Sequence, residues 1–446
     1  MKNLILISLI TILALSGCAN AGNGELVGVQ KRDKWFEPDP YGMVEVPMGS
    51  YVVGPNDEDI SFAMNNQSKT ISVDGFWMDD TEVTNNEYRQ FVNWVVDSLV
   101  RQKLGEEYNP DEFFIEEDEF GNPIDPPFLN WETRINERDE EVKEVLDQFY
   151  IPENERFFRR KELDTRKLVY EYQEIDYQAA AAERLDYKRK VLNSDKTETF
   201  YEDEDMISDR SKFIKTVQIN IYPDTLSWIS DFTYSYNDPM AKMYFWHPGY
   251  DDYPLTGVSW EQAQAFCVWR TQYQNNYLVN KGSNMFVQNY RLPSESEWEY
   301  AARGGRKLSM YPWGGPYTRD GKGCFLANFK PMRGNYVDDG FIKPSPVASF
   351  DPNDYGLYDM SGNVAEWTNS AFDETSYSFT HDMNPNLEYN TNPNEASVMK
   401  RKVIKGGSWK DVSYFLQSGT RTYEYQDSAK SFIGFRCVRS TLGLDL

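Results

Sequence analysis

The side chains that could do chemistry in this chain are few in kind. Its 446 residues hold four cysteines and two histidines, His247 and His381. The two imidazoles lie far apart, with no recognisable serine motif or acid beside either, so a Ser–His relay is hard to build. His247, between Trp246 and Pro248, reads as a packed loop residue. Carboxylates offer more. Asp359 and Glu366 stand seven residues apart across the loop sequence DYGLYDMSGNVAEWT. Two carboxylates among loop carbonyls make an oxygen-only donor set suited to a hard cation such as calcium. A capped loop with two solvated acids is the simpler alternative. The adjacent pairs Asp251–Asp252 and Asp338–Asp339 could serve acid–base work, although neighbouring acids on loops are more often solvated or metal-bound.

Positioning such groups falls to an irregular stretch. Asp351–Thr368 mixes turn formers (Pro352, Asn353, Gly356, Gly362, Asn363) with core-type aromatics (Tyr355, Tyr358, Trp367). It has neither a helical nor an alternating period, so contacts within a loop must hold it. Around it, three S/T-x-x-E/Q boxes predict helix starts: Thr84–Glu87, opening a helix to about Val96, then Ser259–Gln262 and Ser294–Glu297. Met43–Val46 and Tyr51–Val53 read as strands about a Pro47–Gly49 turn, and Thr70–Met78 as another. From about Ser98 to Met240 the character changes. Acidic blocks (Asp111–Glu119, Tyr201–Asp205) alternate with Lys/Arg/Glu-rich stretches. Glu137–Tyr150 and Tyr172–Leu192 look helical, whereas Gln218–Tyr222, Trp228–Ile229 and Phe232–Tyr236 look strand-like. Long inserts in compact folds are usually functional or disordered, and a partner-binding elaboration is expected here.

Hydrophobics at 40% and aromatics at 15% fit a packed α+β globule. A formal charge of −25 sets nucleic acid aside as a partner, because phosphate binding needs a basic surface. It favours divalent cations and basic proteins instead. At the N-terminus, Lys2 and the apolar run Leu4–Leu15 read as a secretory signal, too short to span a bilayer comfortably. Its ending, Leu15-Ser16-Gly17-Cys18, resembles a bacterial lipoprotein box. That implies a signal peptide over residues 1–17, lipidation of Cys18, and a tether and arm over residues 18–40. A plain signal peptide with an incidental cysteine is the alternative. Ala19 and Asn20 follow, with no aspartate to retain the protein at the inner membrane, so an outer-membrane lipoprotein on the periplasmic face is expected. Export also permits disulfides among Cys267, Cys324 and Cys437.

GLYDMSGNVAEWT, RLPSESEWEYAARGG (Arg291–Gly305) and GGSW…GFRC (Gly406–Cys437) resemble the formylglycine-generating enzyme, or sulfatase-modifying factor, family. The likeness covers roughly Tyr41–Trp94 and Tyr253–Val438. It implies a loop-rich α+β fold, related to C-type lectins, over residues 41–97 and 241–446, interrupted by the charged insertion 98–240. It also implies two structural calcium sets, Asp359, Gly362, Val364 and Glu366, and Asn328, Phe329, Asp339 and Phe341. Asp359 stands where the enzyme has asparagine. The resemblance further implies a disulfide between Cys267 and Cys437, closing about 170 residues, which leaves Cys324 as a buried free thiol.

The enzyme's activity rests on a cysteine pair that grips copper through soft thiolates. Ser413 and Ser418 fall at the approximate positions, upstream of Arg421, and no cysteine lies between Ser408 and Arg436. A hydroxyl replaces neither the ligand nor the thiol chemistry. The resemblance therefore implies a pseudoenzyme with no catalytic residues and no copper. The histidine cluster of the iron-binding sulfoxide-synthase relatives is equally out of reach for a chain with two histidines. The lipoprotein box, GELVGV, PYGMV, Lys161–Arg166 and Tyr244–Pro248 together resemble the GldK/PorK lipoproteins of the type IX secretion and gliding-motility machinery of Bacteroidetes. This implies a periplasmic ring built by self-association with a GldN/PorN-type partner; GldJ-type lipoproteins share the fold. A divergent oxidase, another pocket-based enzyme and a ligand-binding module are the competing expectations.

Overall fold

The structure is a computed structural model and describes residues 37–55, 68–117, 121–136, 138–182, 190–192, 198–200, 211–231, 238–282, 285–391 and 394–442. Four short strands come first: β1 (Met43–Val46), β2 (Gly49–Val53), β3 (Lys69–Val73) and β4 (Phe76–Asp79). The first two are strands as expected but are not partners. β1 pairs antiparallel with β4, Met43 opposite Asp79, while β2 pairs with β3, Gly49 opposite Val73. The stretch read as one strand over 70–78 breaks at Asp74–Gly75, so that each half serves a different sheet.

All three capping boxes form, each with both reciprocal hydrogen bonds. They open α1 (Asn85–Glu107) and, beyond the insert helix α2 (Glu140–Gln148), α3 (Trp260–Asn280) and α4 (Glu295–Arg303). Helix α1 runs well past its expected end near Val96. The reason is packing: Val100 and Leu104 extend its apolar face and close a small core with Phe113, Val142, Val145 and Phe149. The first half of the same helix, through Tyr88, Phe91, Val92 and Val95, joins Phe266, Cys267 and Trp269 of α3 in the main core. One helix thus carries both cores.

Two of the insert's antiparallel pairs position its surface. One is β5 (Phe114–Glu117) with β6 (Pro123–Leu129), Ile115 opposite Phe128. The other is β7 (Val169–Ile175) with β8 (Ile214–Asn220), Val169 opposite Asn220. The helix expected over 172–192 is therefore a strand at its start, and among the described residues of that span only Tyr177–Ala182 is helical. Alternation won over the alanine run: Tyr170 and Tyr172 point inward from β7, and Tyr170 meets Phe91 edge-on at 5.2 Å. Trp228–Ile229 lies in a short helix, Ser227–Asp231, and not in a strand. Cys18, Tyr201–Asp205 and Phe232–Tyr236 fall outside the described residues.

The second half of the chain forms a four-stranded sheet from β9 (Ala365–Ala371), β10 (Arg401–Lys405), β11 (Thr422–Tyr425) and β12 (Ile433–Gly434). Its order is β11-β10-β9-β12, with β12 parallel to β9. Finally, β13 (Val438–Ser440) returns to pair with β4, completing a β1-β4-β13 sheet. Among the described residues, no helix is long and apolar enough to cross a membrane.

Candidate functional site

Asp351–Thr368 is held from both flanks. The Asn353 side chain accepts the N–H groups of Tyr355 and Leu357, at 3.0 and 3.1 Å, and donates to the carbonyl of Ala301 at 2.7 Å. This Asx turn adds a second donor to the Ala301 carbonyl at the end of α4, which also accepts the capping N–H of Gly304 at 3.1 Å. Asp359 and Asn363 both have positive φ, 54° and 57°, a conformation that short polar side chains tolerate. Gly362 has no substitute. A Cβ there would stand 2.3 Å from the Asn328 carbonyl oxygen, and the same carbonyl accepts the N–H of Asn363 at 2.8 Å.

From the other flank, Arg436 of the GFRC sequence reaches in, fully buried. It donates to the carbonyls of Asp79 (3.0 Å) and Tyr358 (2.9 Å) and to both carboxylate oxygens of Glu366 (2.8 and 2.7 Å). Trp298 adds its indole N–H to Glu366 at 2.7 Å. The Glu366 carboxylate, expected as a calcium ligand, is therefore committed to an ion pair.

A different acid faces Asp359. Glu82 is fully buried; one carboxylate oxygen accepts from Asn363 Nδ2 at 3.1 Å and the other has no hydrogen-bond partner among the described residues. Burial, and then the charge of Asp359, push the Glu82 carboxyl far above its ordinary value. Burial likewise raises Asp359 to about 6, against the N–H of Ala348 at 2.7 Å and the Arg436 charge. An orphaned buried carboxylate oxygen beside a second carboxylate is costly unless a cation shares it. On this ground Asp359 and Glu82 are the carboxylates that would hold a cation, Glu366 being turned to Arg436. Nothing in the local sequence flags Glu82, since its burial is decided by chain segments hundreds of residues away.

The second set also converges. Asp339 accepts the N–H groups of Phe329 (2.8 Å) and Phe341 (3.2 Å), and Asn328 donates to the Lys343 carbonyl at 3.0 Å. The Asp339 carboxylate is already turned to backbone donors, so its fit to a cation is weaker than that of the first set. The two sets meet where Asn363 contacts Asn328. Among the described residues no three His, Cys, Asp or Glu side chains form a metal-holding cluster, so a cation here would take carbonyl oxygens as well.

The sites read for thiol chemistry are arranged differently. Ser418 is buried with no partner for its hydroxyl among the described residues, and the Ser413 carbonyl accepts the Tyr311 hydroxyl at 3.1 Å. Arg421 forms a buried ion pair with Glu295 at 2.9 Å, joined by the Tyr377 hydroxyl at 2.8 Å. The cavity lined by Glu295, Ser296, Ser370, Tyr377 and Asn386 is only ≈ 20 Å³, about one water. Cys267 and Cys437 are buried neighbours with sulfurs 3.5 Å apart, held here as two thiols and not as the expected bridge. Cys324 is exposed, contrary to expectation, because Asp320 accepts its N–H at 2.7 Å and tightens a surface turn. His247 is exposed rather than packed: its Nδ1 accepts the Gly249 N–H at 3.0 Å and caps a single turn. Asp251 pairs with Arg89, and Asp338 with Arg319 at 2.6 Å, so neither is a free acid.

Comparison with known proteins agrees with this geometry. The profile of the Sulfatase-modifying factor enzyme 1-like domain matches residues 31–139 and 197–441. The chain is 34% identical over 193 residues to "Inactive C-alpha-formylglycine-generating enzyme 2" of Bos taurus, covering 42% of this chain and 50% of that protein. It is also 34% identical over 197 residues to the "Formylglycine-generating enzyme" of Mus musculus, covering 43% of this chain and 45% of that protein. The chain thus spans about half the length of the curated relatives it matches. Among solved structures, PvdO from Pseudomonas aeruginosa aligns at 17% identity with a TM-score of 0.42, over 89% of this chain and 94% of that one, a likeness too loose to bear on function.

Proposed function

Because this chain belongs to the sulfatase-modifying factor enzyme 1-like family, we propose that it keeps that family's frame without its oxidase chemistry. In this reading it works as a calcium-bearing scaffold anchored at the outer membrane. The observation that carries the proposal is the absence of any cysteine between Ser408 and Arg436. Ser413 and Ser418 stand near the positions of the copper-binding pair, and an alcohol binds Cu(I) poorly and cannot exchange disulfides. The tight ion pair of Arg421 with Glu295, beside a cavity of water size, further suits a site that takes no peptide.

The scaffold is a GldK/PorK-type lipoprotein, lipidated at Cys18, that self-associates with a GldN/PorN-type partner into the periplasmic ring of a type IX secretion and gliding apparatus. The lipoprotein box and the segment likenesses support this reading. Calcium at Glu82, Asp359 and the carbonyls of Gly362 and Val364 would be structural, tying the central loop to the segment that leads into α1. The test has two arms. The full chain, extracted in mild detergent, should elute as a very large particle with a stoichiometric protein partner. It should also leave a cysteine peptide unoxidised with or without copper. Conversion of that peptide to an aldehyde, abolished by Ser413→Ala or Ser418→Ala, would overturn the proposal.

A further inference from the structure

A surface finger of the insert contradicts its surroundings. Phe157 and Phe158 form short turns at its tip and are 74% and 80% exposed, with ring centroids 4.3 Å apart. Phe158 and Arg159 both have positive φ, 49° and 56°, a conformation that bulky residues rarely adopt. Such strain persists where the surrounding structure enforces it, and it clusters at functional sites. Here it turns two aromatic rings into solvent. Arg159 and Arg160 follow, exposed and without an ion pair among the described residues, in a chain with 71 acidic side chains. The finger presents apolar rings and free positive charge together.

The same insert carries the complementary surface. On the β5–β6 hairpin, Ile115 and Phe128 lie directly opposite each other and therefore on one face, 43% and 63% exposed. Glu116 and Glu117 beside them are exposed acids without an ion pair among the described residues. One surface is aromatic and basic, and the other is apolar and acidic.

We propose that the Arg156–Lys161 finger of one copy seats on the Ile115–Phe128 hairpin face of a second copy. The two surfaces are different patches, so the contact is head-to-tail and leaves each copy with one finger and one hairpin unsatisfied. Such contacts build closed rings or open filaments instead of stopping at a dimer. This deepens the scaffold reading above and rests on it, by naming where copies touch. A partner-free acidic protein would otherwise repel itself; the basic finger supplies the local complementarity that allows association.

The test is a charge exchange in the full chain, followed by sedimentation velocity and chemical cross-linking. The R159E/R160E and E116R/E117R variants change exposed side chains only, and unchanged melting curves would certify their folds. Wild type should associate with rising concentration, less so at high salt. Each variant alone should lose association by roughly 30-fold or more. An equimolar mixture of the two should recover it, because each finger then meets a hairpin of opposite charge. Phe157→Ser/Phe158→Ser should weaken association without rescue. Oligomers that persist in both charge variants would place the contact elsewhere, overturning this inference while leaving the scaffold reading intact. Monomeric wild type with no co-purifying partner would overturn both. If monomeric wild type bound phosphatidylglycerol vesicles, and R159E/R160E abolished that binding, the finger would be a lipid contact and the copy-to-copy proposal would fail.

Discussion

The buried sulfur pair offers a sharp measurement. Cys267 and Cys437 are 170 residues apart in sequence and their sulfurs 3.5 Å apart in space. A disulfide needs about 2.05 Å, a closure within reach of small side-chain rotations. If the pair is oxidised, the chain-entropy model assigns closure of a loop this long about 5 kcal/mol. Unfolding entropy near 2.1 cal/mol/K per residue gives about 0.8 kcal/mol/K over roughly 400 residues, so the bond is worth about 6 °C in Tm. The assay is calorimetry of protein expressed with export to an oxidising compartment, with and without reductant, alongside alkylation and mass measurement of Cys267 and Cys437. The Cys267→Ala/Cys437→Ala variant should melt lower than oxidised wild type and show no response to reductant. Its cavity cost is the same with and without reductant and so cancels from that response. Free thiols in protein from the oxidising compartment, or a wild-type Tm indifferent to reductant, would refute the reasoning.

Other outcomes follow from the same geometry. Calcium should raise the Tm of wild type and EDTA lower it, whereas Glu82→Gln should blunt the response by removing the orphaned carboxylate; equal calcium responses would exclude Glu82 as a ligand. Glu299 is fully buried and holds Arg303 at 2.7 Å, Lys405 at 3.1 Å and the Gly54 N–H at 2.8 Å, so Glu299→Gln should cost about 3–5 kcal/mol in urea titrations. Burial alone would raise that carboxyl, but Lys405 and Arg303 together hold it below the ordinary 4.5. Its stabilisation is present above that range and lost as pH falls through it, so Glu299→Gln should flatten the acid limb of a stability–pH curve measured below about pH 4.5. Gly362→Ala should destabilise by more than about 1 kcal/mol, because φ is +84° and the new Cβ meets the Asn328 carbonyl; an unchanged midpoint would contradict the close approach.

What could be read from the sequence was what local chemistry decides. The three helix starts were legible because a capping box is complete within four residues, and the reciprocal bonds at Thr84, Ser259 and Ser294 are all present. The central loop was legible because its turn formers are incompatible with a regular period. Strand partnership was not, since β1 prefers β4 over the adjacent β2 for reasons that lie in the core and not in the turn between them. The end of α1 was missed because the Val100–Leu104 face has meaning only once Phe113 and Val145 arrive to cover it. At the candidate site, Asp359 and Gly362 stand out locally. The pairing of Glu366 with Arg436 and the isolation of Glu82 are set by residues 70 and more positions away.

The last strand has a consequence for how this protein comes into being. Arg436 clamps the central loop to β4, and β13 fills the outer place beside β4, so the opening and closing segments of the fold are laid edge to edge. Until the residues around Phe435–Ser440 leave the ribosome, β4 lacks its β13 neighbour and Glu366 its Arg436 counter-charge. Closure of this part of the fold is thereby postponed until the last segment of the chain is present.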